Sequence, residues 1–174
     1  CGRVCPAPCE RGCRRAAIED EPVHHNYIKR FIADWEAESG EVGLPPKAPA
    51  TGKKVACVGS GPAALTAAGD LVQKGHDVTV FEASDHIGGT WYHNQYPGCC
   101  CDVPSVLYSF SFAQNPDWSR LYPGQPELRA YLERVVDRFG LRDRIRTGTR
   151  VTATHFDEAT ATWQVTLDTG EEFV

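Results

Sequence analysis

Two stretches of the chain carry a one-sided hydrophobic stripe at helical spacing. In residues 27–37 the apolar positions are Tyr27, Ile28, Phe31, Ile32 and Trp35, with Asn26 placed as N-cap and Gly40 as stop. This reads as a plain packing helix. In residues 126–139, Leu128, Tyr131, Leu132, Val135, Val136 and Phe139 follow i, i+3, i+4, i+7, i+8 and i+11. Pro126 suits the first turn of that helix and Gly140 its end. Short apolar runs predict strands at 54–58 (KVACV) and 77–81 (DVTVF), joined by a helix that runs to Lys74 and stops at Gly75. Alternation over 150–156 and 162–168 predicts a hairpin turning at 157–160, and 171–174 reads as a further strand. Residues 1–25 and 84–125 read as loop-rich. Residues 41–53 (EVGLPPKAPATGK) read as a Pro/Gly/Ala linker between a unit at 1–40 and a main domain at 54–174.

The turn between the first strand and its helix is Gly59-Ser60-Gly61-Pro62-Ala63-Ala64, and the second strand closes on Glu82. Strand, Gly-rich turn, helix, strand and acid form the βαβ dinucleotide pattern. Gly59 permits the tight turn, Gly61 lets a pyrophosphate approach bare backbone, and Ala64 takes the third small position. The helix N-terminus offers free N–H groups and the positive end of its dipole to phosphate. Glu82 lies 21 residues after Gly61, placed to accept hydrogen bonds from ribose hydroxyls. A carboxylate there disfavours a 2′-phosphate, so the motif predicts the adenosine half of FAD or NAD rather than NADP. A second small-residue loop at Gly88-Gly89 favours FAD. The expected fold is therefore α/β: a Rossmann-like FAD-binding domain with a parallel sheet and a β-hairpin, preceded by a small Cys-rich, partly helical segment.

Composition narrows this picture. The chain has 174 residues, 41% hydrophobic and 24% charged, with a net charge of −5. That is globular composition without an electrostatic case for nucleic acid or an anionic membrane. No apolar run approaches the roughly 20 residues that span a bilayer. The sequence has no methionine, opens on Cys1 and closes on a short strand pattern. An internal piece of a longer chain is expected on that ground.

The eight cysteines are Cys57, the run Cys99-Cys100-Cys101, and Cys1, Cys5, Cys9 and Cys13 at x3 spacing. Consecutive cysteines beside a nucleotide motif fit a reducing cytoplasm better than a disulfide framework. The first clump, with Pro6 and Pro8, reads as an irregular loop whose thiolates converge on a soft metal centre, iron–sulfur before zinc.

Two family resemblances follow. The text CGRVCPAPCERGC, EPVHHNYIKRF and GKKVACVGSGPAALTAAGDLVQKGHDVTVFEA in residues 1–82 resembles the glutamate synthase small-subunit family and related iron–sulfur flavoproteins. That resemblance implies a 4Fe–4S centre on Cys5, Cys9 and Cys13, with Cys1 as a further ligand, and a redox partner subunit. The text IGGTWYHNQYPGCCCDVPSVLYSFSF, NPDWSRLYPGQPELRAYLERVVDRFGL and VTATHFDEATATWQVTLDTG in residues 87–170 resembles the flavin-dependent monooxygenases of the Baeyer–Villiger and flavin-containing type. It implies FAD contacts at Glu82, Gly89, Thr90, Trp91, Asp102, Tyr108 and Val151, beside Gly59, Gly61, Pro62, Ala63 and Ala64. Asp102 is then the nearest candidate for a catalytic group, next to the flavin and the nicotinamide.

Cys100 stands where many Baeyer–Villiger members have Arg, which leaves N- and S-oxidation open beside ketone oxidation. Cys99 to Cys101 are read as small residues filling a tight flavin-contacting loop, the alternative being a redox-active vicinal pair. A second, NADP-binding Rossmann motif does not occur in these residues. The monooxygenase resemblance implies an NADPH-dependent enzyme that inserts one oxygen atom into a small organic substrate through a C4a-peroxyflavin. The other implies electron transfer from NADPH through FAD to iron–sulfur clusters. A third expectation is an FAD-binding module without turnover of its own.

Overall fold

The structure, a computed structural model, describes residues 7–39 and 46–174. The chain divides into two units, Cys1–Pro45 and Pro46–Val174. In the first, the text that reads as loop holds two single-turn helices, α1 (Pro8–Arg11) and α2 (Ala16–Glu19). Pro8 explains α1: its fixed φ suits the first helical position, where its missing N–H costs nothing. The striped helix is α3 (His25–Ser39), two residues longer at each end than its apolar pattern. Its start is not capped as Asn26 predicts. The Glu10 carboxylate accepts the Asn26 backbone N–H at 2.8 Å, so α1 caps α3 through a residue 16 positions away. Gly40, the expected stop, lies outside the described residues, as do Cys1 and Cys5.

The second unit opens with a strap, not a free linker. In residues 46–53 the Ala48 N–H donates to Gln73 O, the Thr51 N–H to Gly75 O, and Lys53 O accepts from the Asp77 N–H. Gly75 is required here: its φ is +81°, and a Cβ on it would lie 2.1 Å from Pro49 O.

β1 (Lys54–Val58), α4 (Pro62–Gln73) and β2 (Asp77–Phe81) then form the βαβ unit where the pattern places it. β1 and β2 pair in parallel from Lys54↔Asp77 to Val58↔Phe81. The chain crosses through two single-turn helices, α5 (Thr90–His93) and α6 (Ser105–Tyr108), and the long α7 (Gln125–Arg138). It returns as β3 (Ile145–Arg146), parallel to the far side of β2. The sheet order is β1-β2-β3. The sequence pattern misses β3 because two residues carry no periodicity.

α4 buries Leu65, Ala68, Gly69 and Val72, and α7 buries Leu128, Tyr131, Leu132, Val135 and Val136, in one core with Val78 and Val80 of β2. Each of the larger aliphatic side chains contributes about 1.5–3 kcal/mol on burial. The hairpin appears as β4 (Val151–Asp157) and β5 (Thr162–Leu167), and β6 (Glu172–Phe173) completes a separate antiparallel sheet β4-β5-β6. It covers the end of β2: Phe81 packs with Val165 and Leu167, and with Val151 and Phe173 at the margin. The α/β architecture with a parallel Rossmann-like sheet and a hairpin is the expected one.

Candidate functional site

The site grows from the C-terminal ends of β1 and β2, where an open α/β sheet presents its loops. Gly59 has φ +90° and open space where a Cβ would stand. Its N–H donates to Phe81 O at 2.8 Å, which carries the strand pairing into the turn. Gly61 then stands as N-cap of α4 with no side-chain cap, and Pro62 brings no N–H. The first N–H groups of α4, at Ala63 and Ala64, therefore point into the turn without a side-chain acceptor. Ala64 is half-buried; the residues that α4 turns to the core are Leu65 and Ala68.

The closest backbone approach is between the two glycine loops. A Cβ on Gly89, whose φ is +54°, would lie 2.9 Å from the Gly61 Cα. The Gly88 N–H also donates to Ser60 O at 3.2 Å. Gly89 takes no side chain without displacing backbone, whereas a Cβ on Gly61 would meet the Gly89 Cα at 3.9 Å, an ordinary contact; the two loops lie backbone against backbone and form one cradle.

Glu82 closes this cradle and is buried. Its Oε2 accepts from the Ser60 N–H at 2.7 Å and the Ser60 hydroxyl at 2.5 Å, and its Oε1 from the Ser84 N–H at 2.8 Å. Burial pushes its pKa up, but the hydrogen bonds from Ser60 and Ser84 outweigh burial and hold it below the usual carboxylate range. With two donors on Oε2 and one on Oε1, Oε1 retains capacity for a further donor. Ser60 is thus a functional partner the sequence reading missed. The signal was there: a hydroxyl inside the glycine turn, 22 residues before the acid it meets.

A second group surrounds Trp91. Its indole N–H donates to the Tyr108 hydroxyl at 2.8 Å, and the two rings meet edge-on at 5.7 Å. Burial raises the Tyr108 pKa, with the charge of Asp102 adding in the same direction. Asp102 is exposed and follows buried Cys101, whose thiol is raised first by burial and then by the Asp102 charge. Thr90 is exposed on α5. Val151 sits at the hairpin margin against Phe81, next to Glu82 in sequence. His93 donates to or accepts from Ser84 Oγ at 3.0 Å, and His86 lies against the Tyr92 ring; both are surface residues.

The structure thus brings Gly59, Gly61, Pro62, Ala63, Ala64, Glu82 and Gly89 into one cradle, and Trp91, Tyr108, Cys101 and Asp102 into an adjoining group. Gln125, also missed from sequence, connects the second group internally. Cys9 is exposed and Cys13 half-buried in the first unit. Among the described residues no group of three or more His, Cys, Asp or Glu is disposed to hold a metal ion, and Cys1 and Cys5 lie outside them.

Known proteins are similar to this stretch of the chain in sequence and in fold. The family model of an NAD(P)-binding Rossmann-like domain matches residues 57–123. A Baeyer–Villiger monooxygenase of Streptomyces coelicolor is 49% identical over 113 residues, 64% of this chain and 22% of its own. Another, of Pseudomonas aeruginosa, is 42% identical over 122 residues, 70% of this chain and 23% of its own. Over the matched stretch the chain is similar to Baeyer–Villiger and flavin-dependent monooxygenases. Solved monooxygenases agree in fold. An oxidized steroid monooxygenase bound to NADP has a TM-score of 0.65 and 47% identity, covering 69% of this chain and 24% of its own. Cyclohexanone monooxygenase from Rhodococcus sp. Phi1, bound to NADP+, has a TM-score of 0.66 and 40% identity, covering 74% and 24%. This chain spans between 22% and 24% of the length of these relatives. They are monooxygenases, and the glutamate synthase resemblance of residues 1–82 rests on sequence text alone. No helix among the described residues is long and apolar enough to cross a membrane.

Proposed function

We propose that this chain forms the FAD-binding part of an NADPH-dependent flavin monooxygenase that inserts one oxygen atom into a small organic substrate. The observation that carries the reading is the two-glycine cradle. The Gly61 backbone excludes a side chain at Gly89, and uncapped N–H groups of α4 open into the same turn. A diphosphate fits that chemistry: acceptor oxygens for free donors, and negative charge at the positive end of a 12-residue helix. Relatives at 36–49% identity named as monooxygenases support the same reading.

Ala63 and Ala64 N–H groups would hold the pyrophosphate, and Glu82 Oε1 a ribose hydroxyl. Thr90 would add a hydroxyl at the cradle's rim. Trp91 and Tyr108 would form a rigid wall that keeps water from one side of the ring system, and Asp102 would offer an exposed carboxylate beside it. The bound flavin supplies hydride acceptance from NADPH and activation of dioxygen. The iron–sulfur electron-transfer reading is not adopted, because the relatives and solved structures reported above are monooxygenases.

The test is FAD titration of the purified chain, followed by absorbance after gel filtration. Retained flavin, lost in Gly61→Val, is the expected result; no retention in the wild-type chain would overturn the reading. These 174 residues hold a single dinucleotide motif. Their bound flavin is therefore expected to oxidise NADPH no faster than free FAD does, and rapid reduction of the flavin would contradict that.

A further inference from the structure

We infer that Gln125 is a positioning residue that locks the two loops of the proposed flavin site to one helix, and that it sets FAD affinity without touching FAD. This rests on the FAD reading above. Gln125 is the first residue of α7 and is 8% exposed. A glutamine so buried on a domain surface helix calls for an explanation, since an unpaired buried amide costs about 1–3 kcal/mol.

Both ends of the residue have work. Its side-chain Nε2 donates to the carbonyl oxygen of Trp91, inside the Gly88-Gly89-Thr90-Trp91 turn. Its backbone N–H donates to Cys99 O at 2.9 Å, and the Cys101 N–H donates to Pro123 O at 3.0 Å just before it. The segment leading into α7 therefore pairs with the cysteine loop like a short ladder, bridged at Cys100↔Gly124. Through Gln125 one rigid helix fixes both loops: the glycine turn by a side chain, the Cys99-to-Asp102 loop by backbone.

The other ties between the glycine turn and α7 are side-chain packing, with Trp91 in the same core as Leu128 and the Arg129 guanidinium 5.0 Å over the Tyr92 ring, so the Gln125 amide is the tie that holds the turn's backbone. Gly88 and Gly89 have no side chains, and α5 is a single turn. The ring wall depends on the same tie, because Trp91 also holds Tyr108 through its indole N–H. Releasing the Trp91 carbonyl frees the turn, and Gly89 then samples positions away from Gly61. FAD must reorder the turn on binding, and that entropy lowers its affinity. The residue's amide, rather than its bulk, is the active feature.

The experiment compares FAD titrations of the wild-type chain, Gln125→Leu and Gln125→Glu, with circular dichroism and thermal melting of the flavin-free proteins. Gln125→Leu removes the donor and keeps most of the volume. Gln125→Glu keeps the shape and turns an acceptor toward the Trp91 carbonyl; if the carboxylate swings to Arg129, one turn on, the carbonyl is released all the same. FAD affinity is expected to fall about tenfold in Gln125→Leu and further in Gln125→Glu. A side chain that only filled space would give the opposite order, because glutamate is the closer isostere. Equal FAD affinity in all three proteins, or a milder effect of glutamate, overturns the inference and leaves the FAD reading standing. Failure of the wild-type chain to bind FAD overturns both. Should Gln125→Glu not fold, Gln125→Asn decides, since its amide is one methylene too short to reach. Wild-type affinity there counts against the inference, and weakened affinity with unchanged melting supports it.

Discussion

α3 and α7 are nearly the same length, 15 and 14 residues, and both carry an apolar stripe with aromatic members. Their stripes meet different fates. In α7, Leu128, Tyr131, Leu132, Val135 and Val136 are at most 3% exposed. In α3, Tyr27, Phe31 and Trp35 are 68%, 70% and 54% exposed. Periodicity predicts that a helix has an apolar face; it does not predict what covers that face. The difference lies in the partners. α7 follows a parallel sheet and a glycine turn that need a covering helix, whereas α3 follows two single-turn helices that offer little apolar surface. Hence the two stripes should respond differently to the same kind of substitution.

The largest response should come from α7. Leu128→Ala leaves a cavity in the middle of the core and should cost about 2–5 kcal/mol in denaturant unfolding. A cost below 1 kcal/mol would remove α7 from the core and end the contrast. Gly89→Ala comes next. It places a Cβ 2.9 Å from the Gly61 Cα at a φ of +54°. Strain of this kind costs on the order of 1–3 kcal/mol, and FAD binding should be lost with it. Wild-type flavin affinity in this variant would mean that the two loops do not share a cradle.

Tyr131→Phe probes the polar side of the α7 stripe. The Tyr131 hydroxyl accepts from the Phe110 N–H and donates to Ala113 O, both at 2.8 Å. Removing it strands both groups, at about 1–3 kcal/mol. Thermal melting reads the loss, and an unchanged midpoint would show that water replaces the hydroxyl.

Glu82 gives a pH signature to the same unit. Its pKa is lowered in the folded state, by donors that prevail over burial. Its contribution to stability is therefore complete above the ordinary carboxylate pKa. It is lost as pH falls through the lowered folded value. Denaturation midpoints taken from neutral to acid pH should decline in that window, and Glu82→Gln should flatten part of the decline. An identical profile in the variant would show that other carboxylates carry it.

How much of this was legible follows from where each interaction sits in the chain. β1 and β2 were readable to the residue and α4 to within one residue at its end, because glycine, proline and apolar runs act within a few positions. The cradle residues Gly59, Gly61 and Glu82 were readable for the same reason. What escaped is long-range. Glu10 caps a helix 16 residues on, Ser60 meets Glu82 22 residues on, and Gln125 reaches back 34 residues to Trp91. β3 escaped because its two residues are defined only by pairing with β2. The strap at 46–53 looked like a linker because its hydrogen bonds use backbone, which composition does not reveal.

The smallest expected effect belongs to α3 and completes the contrast. Phe31→Ser removes a large aromatic side chain that is already 70% exposed, so it forfeits little buried area. Serine also has lower helix propensity than the best formers, but the difference is only a few tenths of a kcal/mol. The unfolding free energy should stay within about 0.5 kcal/mol of wild type, as for other surface substitutions. The same chemical change in α7 would be ruinous. A loss of several kcal/mol at Phe31 would mean that the stripe is covered in solution, and that the two helices differ only in which surface does the covering.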